Sequence, residues 1–143
     1  MNVLQLLKLK GSRAVETVQP DLTVAEAAKI LSERKIGALV ASRDGASVAG
    51  IVSERDIVRL LGTEGAAVLA RPVSDVMTST VTTCALSETA LSVLERMTEG
   101  RFRHMPVMED GRMVGFLSIG DVVKARISEI ESDNAALVEM LHG

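Results

Sequence analysis

The stretch Gly50-Ile51-Val52-Ser53-Glu54-Arg55-Asp56 (GIVSERD) recurs 65 residues later as Gly115-Phe116-Leu117-Ser118-Ile119-Gly120-Asp121 (GFLSIGD). Both read glycine, two apolar residues, serine, and an aspartate three places after the serine. The apolar pair predicts the end of a strand. Ser-x-x-Asp predicts a helix start, because the serine oxygen accepts an exposed N–H of the first turn and a carboxylate there complements the helix dipole. Two such strand-to-helix junctions imply a repeated unit.

The repeat extends outward from these strings. Shifted by 66 residues, Thr17 falls on Thr83, Thr23 on Thr89, Leu31 on Met97, Glu33 on Glu99, Ile36 on Phe102, Asp44 on Asp110 and Gly45 on Gly111. Past the Asp-Gly pair the shift becomes 65, placing Arg59 on Lys124. Each half opens with an extended piece, Ala14–Val18 or Thr80–Cys84. A helix follows. The first is started by a Thr23/Glu26 capping box and carries Ala27, Ala28, Ile30 and Leu31 on one stripe. The second covers roughly Glu88–Glu99, with Leu91, Leu94 and Met97 on one side and Gly100 as its stop. Two strands then flank an Asp-Gly turn, Ile36–Ser42 with Ala46–Val52 and Phe102–Met108 with Arg112–Leu117. The unit is β-α-β-β-α, twice, in an α/β (α+β) chain. The expected boundaries are an N-terminal extension at 1–12, repeat one at 13–62, a linker at 63–72 with a small alanine-rich helix, repeat two at 73–128, and a C-terminal extension at 129–143.

Two segments are expected outside the repeat. Val3, Leu4, Leu6, Leu7 and Leu9 predict a short amphipathic helix. Val123, Ile127, Ile130, Asn134, Leu137 and Leu141 are spaced 4, 3, 4, 3, 4, a heptad seam on a long C-terminal helix. Two readings stand for the seam: a dimer contact with Asn134 fixing register, or intramolecular cover over the sheet. Ser132-Asp133 is a further place where that helix could break.

Composition narrows the function classes. The chain has 143 residues, 47% apolar and 24% charged, enough apolar surface for a packed core. Its net charge of -3, with no Trp or Tyr and two Phe, argues against nucleic acid. No apolar run reaches the ~20 residues of a membrane span, and no secretory leader is expected. Cys84 is the only cysteine, which excludes an intrachain disulfide or a cysteine zinc cluster and fits a reducing cytoplasm. For catalysis, a Cys84–His104 nucleophile pair is conceivable, but Cys84 occupies the apolar place of Val18. No phosphate loop, histidine pair at metal-ligand spacing or nucleophile elbow occurs. No catalytic or metal residues are expected; the chain reads as a binder.

The doubled string leaves two readings open. Ser-x-x-Asp is a common helix cap. The same junction also puts N–H groups and positive dipole charge where a phosphate could sit, with a carboxylate one turn in that can accept both hydroxyls of a ribose.

With these strings, the Asp75-Val76-Met77-Thr78 segment and Arg103-His104-Met105-Pro106-Val107, the chain resembles a tandem pair of cystathionine-β-synthase (CBS) domains, a Bateman module, over roughly 13–128. The resemblance implies two repeats packed about a pseudo-two-fold, with clefts between them, and a disc-like homodimer. It implies a regulatory protein rather than an enzyme, requiring no cofactor. Its ligand would contain adenosine: AMP, ADP, ATP or NAD, with S-adenosylmethionine ranked behind them. By the same resemblance Asp56 and Asp121 would hold ribose hydroxyls, and Ser53 and Ser118 would face ribose or phosphate. Ile36, Gly37, Ala38, Phe102, Met105 and Pro106 would line the base. Thr17, Val18, Thr83 and Cys84 would offer backbone groups to the purine edge. Arg103 and His104 would meet phosphate, and Arg55 is the basic residue beside Asp56. Arg103 and His104 also read plainly as surface strand residues. The unequal basic residues of the halves predict unequal affinities. An effector protein elsewhere would receive the signal; the alternative is a scaffold module that dimerises without ligand.

Overall fold

The computed structural model describes residues 1–11 and 15–142, so Ala14, expected in the first extended piece, lies outside the described residues. The elements follow in order: α1 (Val3–Lys10), β1 (Thr17–Val18), α2 (Val24–Arg34), β2 (Ala38–Ala41), β3 (Gly50–Ser53), α3 (Glu54–Glu64), a 3-10 segment (Ala66–Ala70), α4 (Val73–Val76), β4 (Cys84–Ala85), α5 (Ala90–Gly100), β5 (His104–Glu109), β6 (Arg112–Ser118) and α6 (Ile119–His142). They form two compact units. One comprises Val15–Thr82 with Asp110–Met113; the other comprises Met1–Ala14, Thr83–Glu109 and Val114–Gly143.

Both units repeat one plan, in a mixed α+β chain with two three-stranded sheets ordered β1-β2-β3 and β4-β5-β6. β1 runs parallel to β2 and β4 parallel to β5, whereas β3 returns antiparallel to β2. Thr23 caps α2 and Thr89 caps α5, each hydroxyl accepting the N–H three residues on. Of the expected Thr23/Glu26 box, the half in which Thr23 accepts from Glu26 is formed. The apolar faces of α2 and α5 meet their sheets. Val24, Ala27 and Leu31 share a core with Leu39, Ala41 and Val52. Ala90, Val93 and Met97 share the other with Met105, Val107 and Leu117.

Several boundaries differ from expectation. In the second half the extended piece expected at 80–84 forms strand only at Cys84–Ala85. Gly100 does not stop α5 by a left-handed turn. The left-handed residue is Arg101, φ 56, as Lys35, φ 54, is for α2. Gly100 is small instead because the Phe102 ring occupies the space a Cβ would take. The Asp110-Gly111 turn joins β5 to β6 with φ of 51 and 76, the positive pair of a tight hairpin. Asp44-Gly45 makes no such hairpin: Ala41 pairs with Gly50, leaving residues 42–49 as a loop. There the Asp44 carboxylate accepts the N–H groups of Ala46 and Ser47 at 2.9 and 2.7 Å, so those groups are taken from the ladder. The same bonds, that to Ser47 first, hold the Asp44 carboxyl well below the usual carboxylate range.

The N-terminal segment is not an appendage. Its backbone docks on the second repeat as the segment before α4 docks on the first. Val3 N–H donates to the Glu88 carbonyl and Val73 N–H to Leu22; Ala90 N–H donates to Met1 and Val24 N–H to Arg71. Asn2 bridges Thr89, and Pro72 bridges Thr23. α1 and α4 are therefore counterparts, each serving the repeat it does not immediately precede. Val3, Leu6 and Leu7 are buried in the second core, and Val73 in the first.

α6 is continuous through Ser132-Asp133. Val122 and Ala125 turn into the core, whereas Val123, Ile127, Ile130, Leu137 and Leu141 are exposed. The seam does not cover the sheet, which corrects the intramolecular reading. Among the described residues no helix is long and apolar enough to cross a membrane.

Candidate functional site

The two strings form the expected strand-to-helix junctions. β3 ends at Ser53, which caps α3 by accepting the Asp56 N–H at 3.2 Å, while its hydroxyl donates to the Asp56 carboxylate at 2.8 Å. β6 ends at Ser118. Its hydroxyl accepts the Asp121 N–H at 3.2 Å and its N–H donates to Asp121 Oδ2 at 2.9 Å. Each carboxylate is thus oriented by its own cap at a helix N-terminus. Their side chains keep 23% and 24% exposure, enough to meet a ligand. The carbonyls of Gly37 and Arg103 stand at equivalent places, accepting the N–H groups of Glu54 and Ile119 at 2.9 and 2.8 Å.

The glycines of the strings have a structural cause. A Cβ on Gly50 would lie 2.6 Å from Met77 Sδ and 2.8 Å from the Thr78 carbonyl; on Gly115 it would lie 2.8 Å from the Leu7 methyls. The close approach these glycines permit is that of the α4 exit and of α1, which again stand as counterparts.

Two cations that were not among the expected site residues pair with these carboxylates. Lys10 Nζ lies 3.0 Å from Asp121 Oδ2 and donates to the Phe116 carbonyl at 2.8 Å. Arg59 lies 3.2 Å from Asp56 Oδ1. Arg59, three residues past Asp56 on a helix, was legible from spacing. Lys10 was not, since nothing local ties it to a carboxylate so far along the chain. Burial works to raise the Asp121 carboxyl, but the Ser118 N–H and Lys10 outweigh it, and the carboxyl is held below its ordinary value. An ordinary aspartate titrates near 3.9. Because the folded value is the lower one, the stabilisation is full at neutral pH. It fades as pH falls from about 4 through the depressed folded value. Lys10→Gln should shrink this acid-limb loss in urea titrations between about pH 5 and 2; an unchanged limb would deny the ion pair a role.

The remaining candidates divide. Thr17, Ile36, Gly37, Arg55, Phe102, Arg103 and His104 are exposed or half-buried. His104 stacks on Phe116 with ring centroids 5.5 Å apart. Val18, Ala38, Cys84, Met105 and Pro106 are buried. Met105 belongs wholly to the core, which removes its side chain as a lining for a base. Pro106 lies in the middle strand of its sheet rather than at an edge, tolerated where β4 pairs only with Val107 and Met108. Of the backbone groups expected to face a purine, the Val18 carbonyl accepts Ser42 N–H at 2.9 Å. The Thr83 carbonyl accepts from Arg96 at 2.6 Å, and Arg96 also pairs with Glu88. The Cys84 thiol is pushed up to about 12, chiefly by burial, so at neutral pH it is a protonated core residue and no nucleophile. Among the described residues no group of three or more His, Cys, Asp or Glu could hold a metal ion.

Comparison with known proteins gives a consistent picture. The family model described as CBS domain matches residues 11–63 and 73–128. A crystal structure of the CBS-domain containing protein ATU1752 from Agrobacterium tumefaciens superposes with a TM-score of 0.84 at 48% identity, covering 88% of this chain and 99% of that one. The CBS domain protein PAE2072 from Pyrobaculum aerophilum, complexed with AMP, superposes with a TM-score of 0.74 at 27% identity over 85% and 89% of the chains. A mitochondrial CBS domain-containing protein of Arabidopsis thaliana, CBSX3, is 35% identical over 86% of this chain and 62% of its own length. The chain thus spans less than two thirds of the curated relatives it matches first, and 23% of another from that plant, CBSCBSPB1.

Proposed function

Since the chain belongs to the CBS domain family, we propose that it is a regulatory, non-enzymatic protein that binds AMP, ADP, ATP or NAD through the serine–aspartate caps that start α3 and α6. The observation that carries this reading is the doubled cap. Each unit presents a helix N-terminus, a serine hydroxyl and a partly exposed carboxylate at one point. Phosphate suits the first and ribose hydroxyls the last. The AMP complex of PAE2072 supports adenosine as the common part of the ligand. Binding energy acts only through a difference in affinity between two states. Its output would pass to an effector protein or through self-association as a homodimer, in a reducing, cytoplasmic setting. Lys10, from α1, stands beside Asp121, whereas Arg59, from α3 itself, stands beside Asp56; the different cations support unequal affinities for the two caps.

The test is a thermal melt with each nucleotide on protein unfolded and refolded to strip any carried ligand. At ~100 times the dissociation constant a ligand adds about 2.7 kcal/mol, which raises Tm by roughly 5–10 °C for a chain of this size. Guanine nucleotides should do less. Asp56→Asn and Asp121→Asn keep the cap but lose the charge-assisted bond. Each should weaken binding roughly 10- to 100-fold at one cap, a loss of about 1.5–3 kcal/mol. A second reading, a scaffold module that binds no ligand, is favoured by one observation: Ser118 and Lys10 already occupy Asp121. It requires no shift with AMP, ADP, ATP or NAD at millimolar concentration, and that result would overturn the nucleotide reading.

A further inference from the structure

We propose that α6 joins this chain to a second copy of itself as a parallel two-stranded coiled coil. The inference names the surface and direction of the self-association proposed above, and rests on that reading but not on the ligand.

α6 leaves the fold part-way along. Val122 and Ala125 are buried and Arg126 and Glu129 half-buried, but every residue from 131 to 142 is exposed. That is about 18 Å of helix with no cover from its own unit, and a lone helix of such length is marginal in water. It carries an apolar seam. Val123, Ile127, Ile130, Leu137 and Leu141 are 38, 51, 49, 57 and 82% exposed. At 100° per residue the seam, with Asn134, falls in a stripe about 80° wide. Val122 and Ala125 point elsewhere, so pairing along the seam leaves the unit's own packing intact.

The direction follows from the polar residues. Ile127, Asn134 and Leu141 take the a places of the heptad, and Val123, Ile130 and Leu137 the d places. In a parallel pair like faces like: Asn134 meets the partner's Asn134, and the two amides can hydrogen-bond. That use of a single polar a residue sets register and strand number. Arg126, at g, then lies beside the partner's Glu131, at e, in both symmetric copies. An antiparallel pair instead sets a against d. Asn134 would face the partner's Ile130 or Leu137, leaving a buried amide without a partner. In the antiparallel register that uses the whole seam, Glu131 would also face the partner's Glu131 and Asp133 the partner's Asp133. Within its own unit Arg126 has Glu129 at 3.5 Å, and the second carboxylate would extend that pair.

The experiment uses the full chain without nucleotide. Leu141→Cys supplies a reporter, and Cys84, buried and protonated, does not compete. Mild oxidation should join two Leu141→Cys chains at least tenfold faster than two Ser132→Cys chains, whose cysteine would face outward from the coil. Adding Leu137→Lys should abolish that advantage while the circular dichroism and melt of the fold persist, since Leu137 touches no core. A Leu141→Cys rate no faster than Ser132→Cys overturns the proposal. So does cross-linking of Leu141→Cys to Val123→Cys chains in preference to itself, which marks an antiparallel pair. Sedimentation separates the two readings. A dimer of the 15.2 kDa chain without the Leu141→Cys link overturns this surface alone, whereas a monomer at tens of micromolar overturns self-association altogether.

Discussion

Leu6→Ala is expected to destabilise the chain by about 2–5 kcal/mol, the range for removing a buried leucine side chain from a packed core. Leu6 lies 3% exposed beside Val3 and Leu7 in the core built from α5, β5, β6 and α6. In a chain of this size the loss amounts to roughly 5–15 °C in Tm. Leu9, on the same helix but 68% exposed, supplies the control, and Leu9→Ala should change stability by less than about 0.5 kcal/mol. Urea unfolding of both variants decides the matter. If Leu6→Ala matched Leu9→Ala, α1 would contribute nothing to the second core.

Gly50→Ala should cost more than Gly115→Ala, although the two glycines hold equivalent places. The new methyl at 50 meets Met77 Sδ, which can swing away, and the Thr78 carbonyl, which cannot. That carbonyl accepts Ile51 N–H at 3.0 Å while Thr78 N–H donates to Ile51 at 2.8 Å, so moving it disturbs two backbone bonds. Overpacking of this kind costs about 1–3 kcal/mol, with about 1 kcal/mol more for each bond lost. The nearest atoms to the methyl at 115 belong to the Leu7 side chain, its methyls at 2.8 Å and its Cγ at 3.4 Å, with no backbone atom among them. Leu7→Ala should therefore recover part of the Gly115→Ala loss, a coupling a double-mutant cycle would measure. Equal losses at the two glycines, or no coupling to Leu7, would sink this account.

Much of the fold was legible because its signals are local. Ser53 and Asp56, Ser118 and Asp121, and Thr23 and Glu26 act across three residues, so a string of seven letters specifies where a strand ends and a helix begins. The family followed from the order of those strings. The Asp-Gly pairs show where local reading runs out. Asp110-Gly111 makes a tight turn, but Asp44 sits beside Ser42 and Ser47, whose hydroxyls bond its carboxylate and open the hairpin into a loop. Gly100 read as a helix stop, and its smallness serves the Phe102 ring instead.

The candidate site was legible in the same degree. The oriented carboxylates belong to their caps and could be named in advance. Their cations divide: Arg59 shares a helix with Asp56, whereas Lys10 reaches Asp121 only because α1 is packed against the second repeat. The same docking decides why Gly115 must be glycine and why Met1–Leu4 matches the segment at Arg71–Ser74. By itself the sequence determined the repeating unit, the Asp110-Gly111 turn and the capped helix starts, since each depends on neighbours within one helical turn. Only the tertiary structure decided which segment covers each repeat, because that choice rests on backbone groups far apart in the chain, such as Val73 with Leu22 and Val3 with Glu88, where no local spacing records the partner.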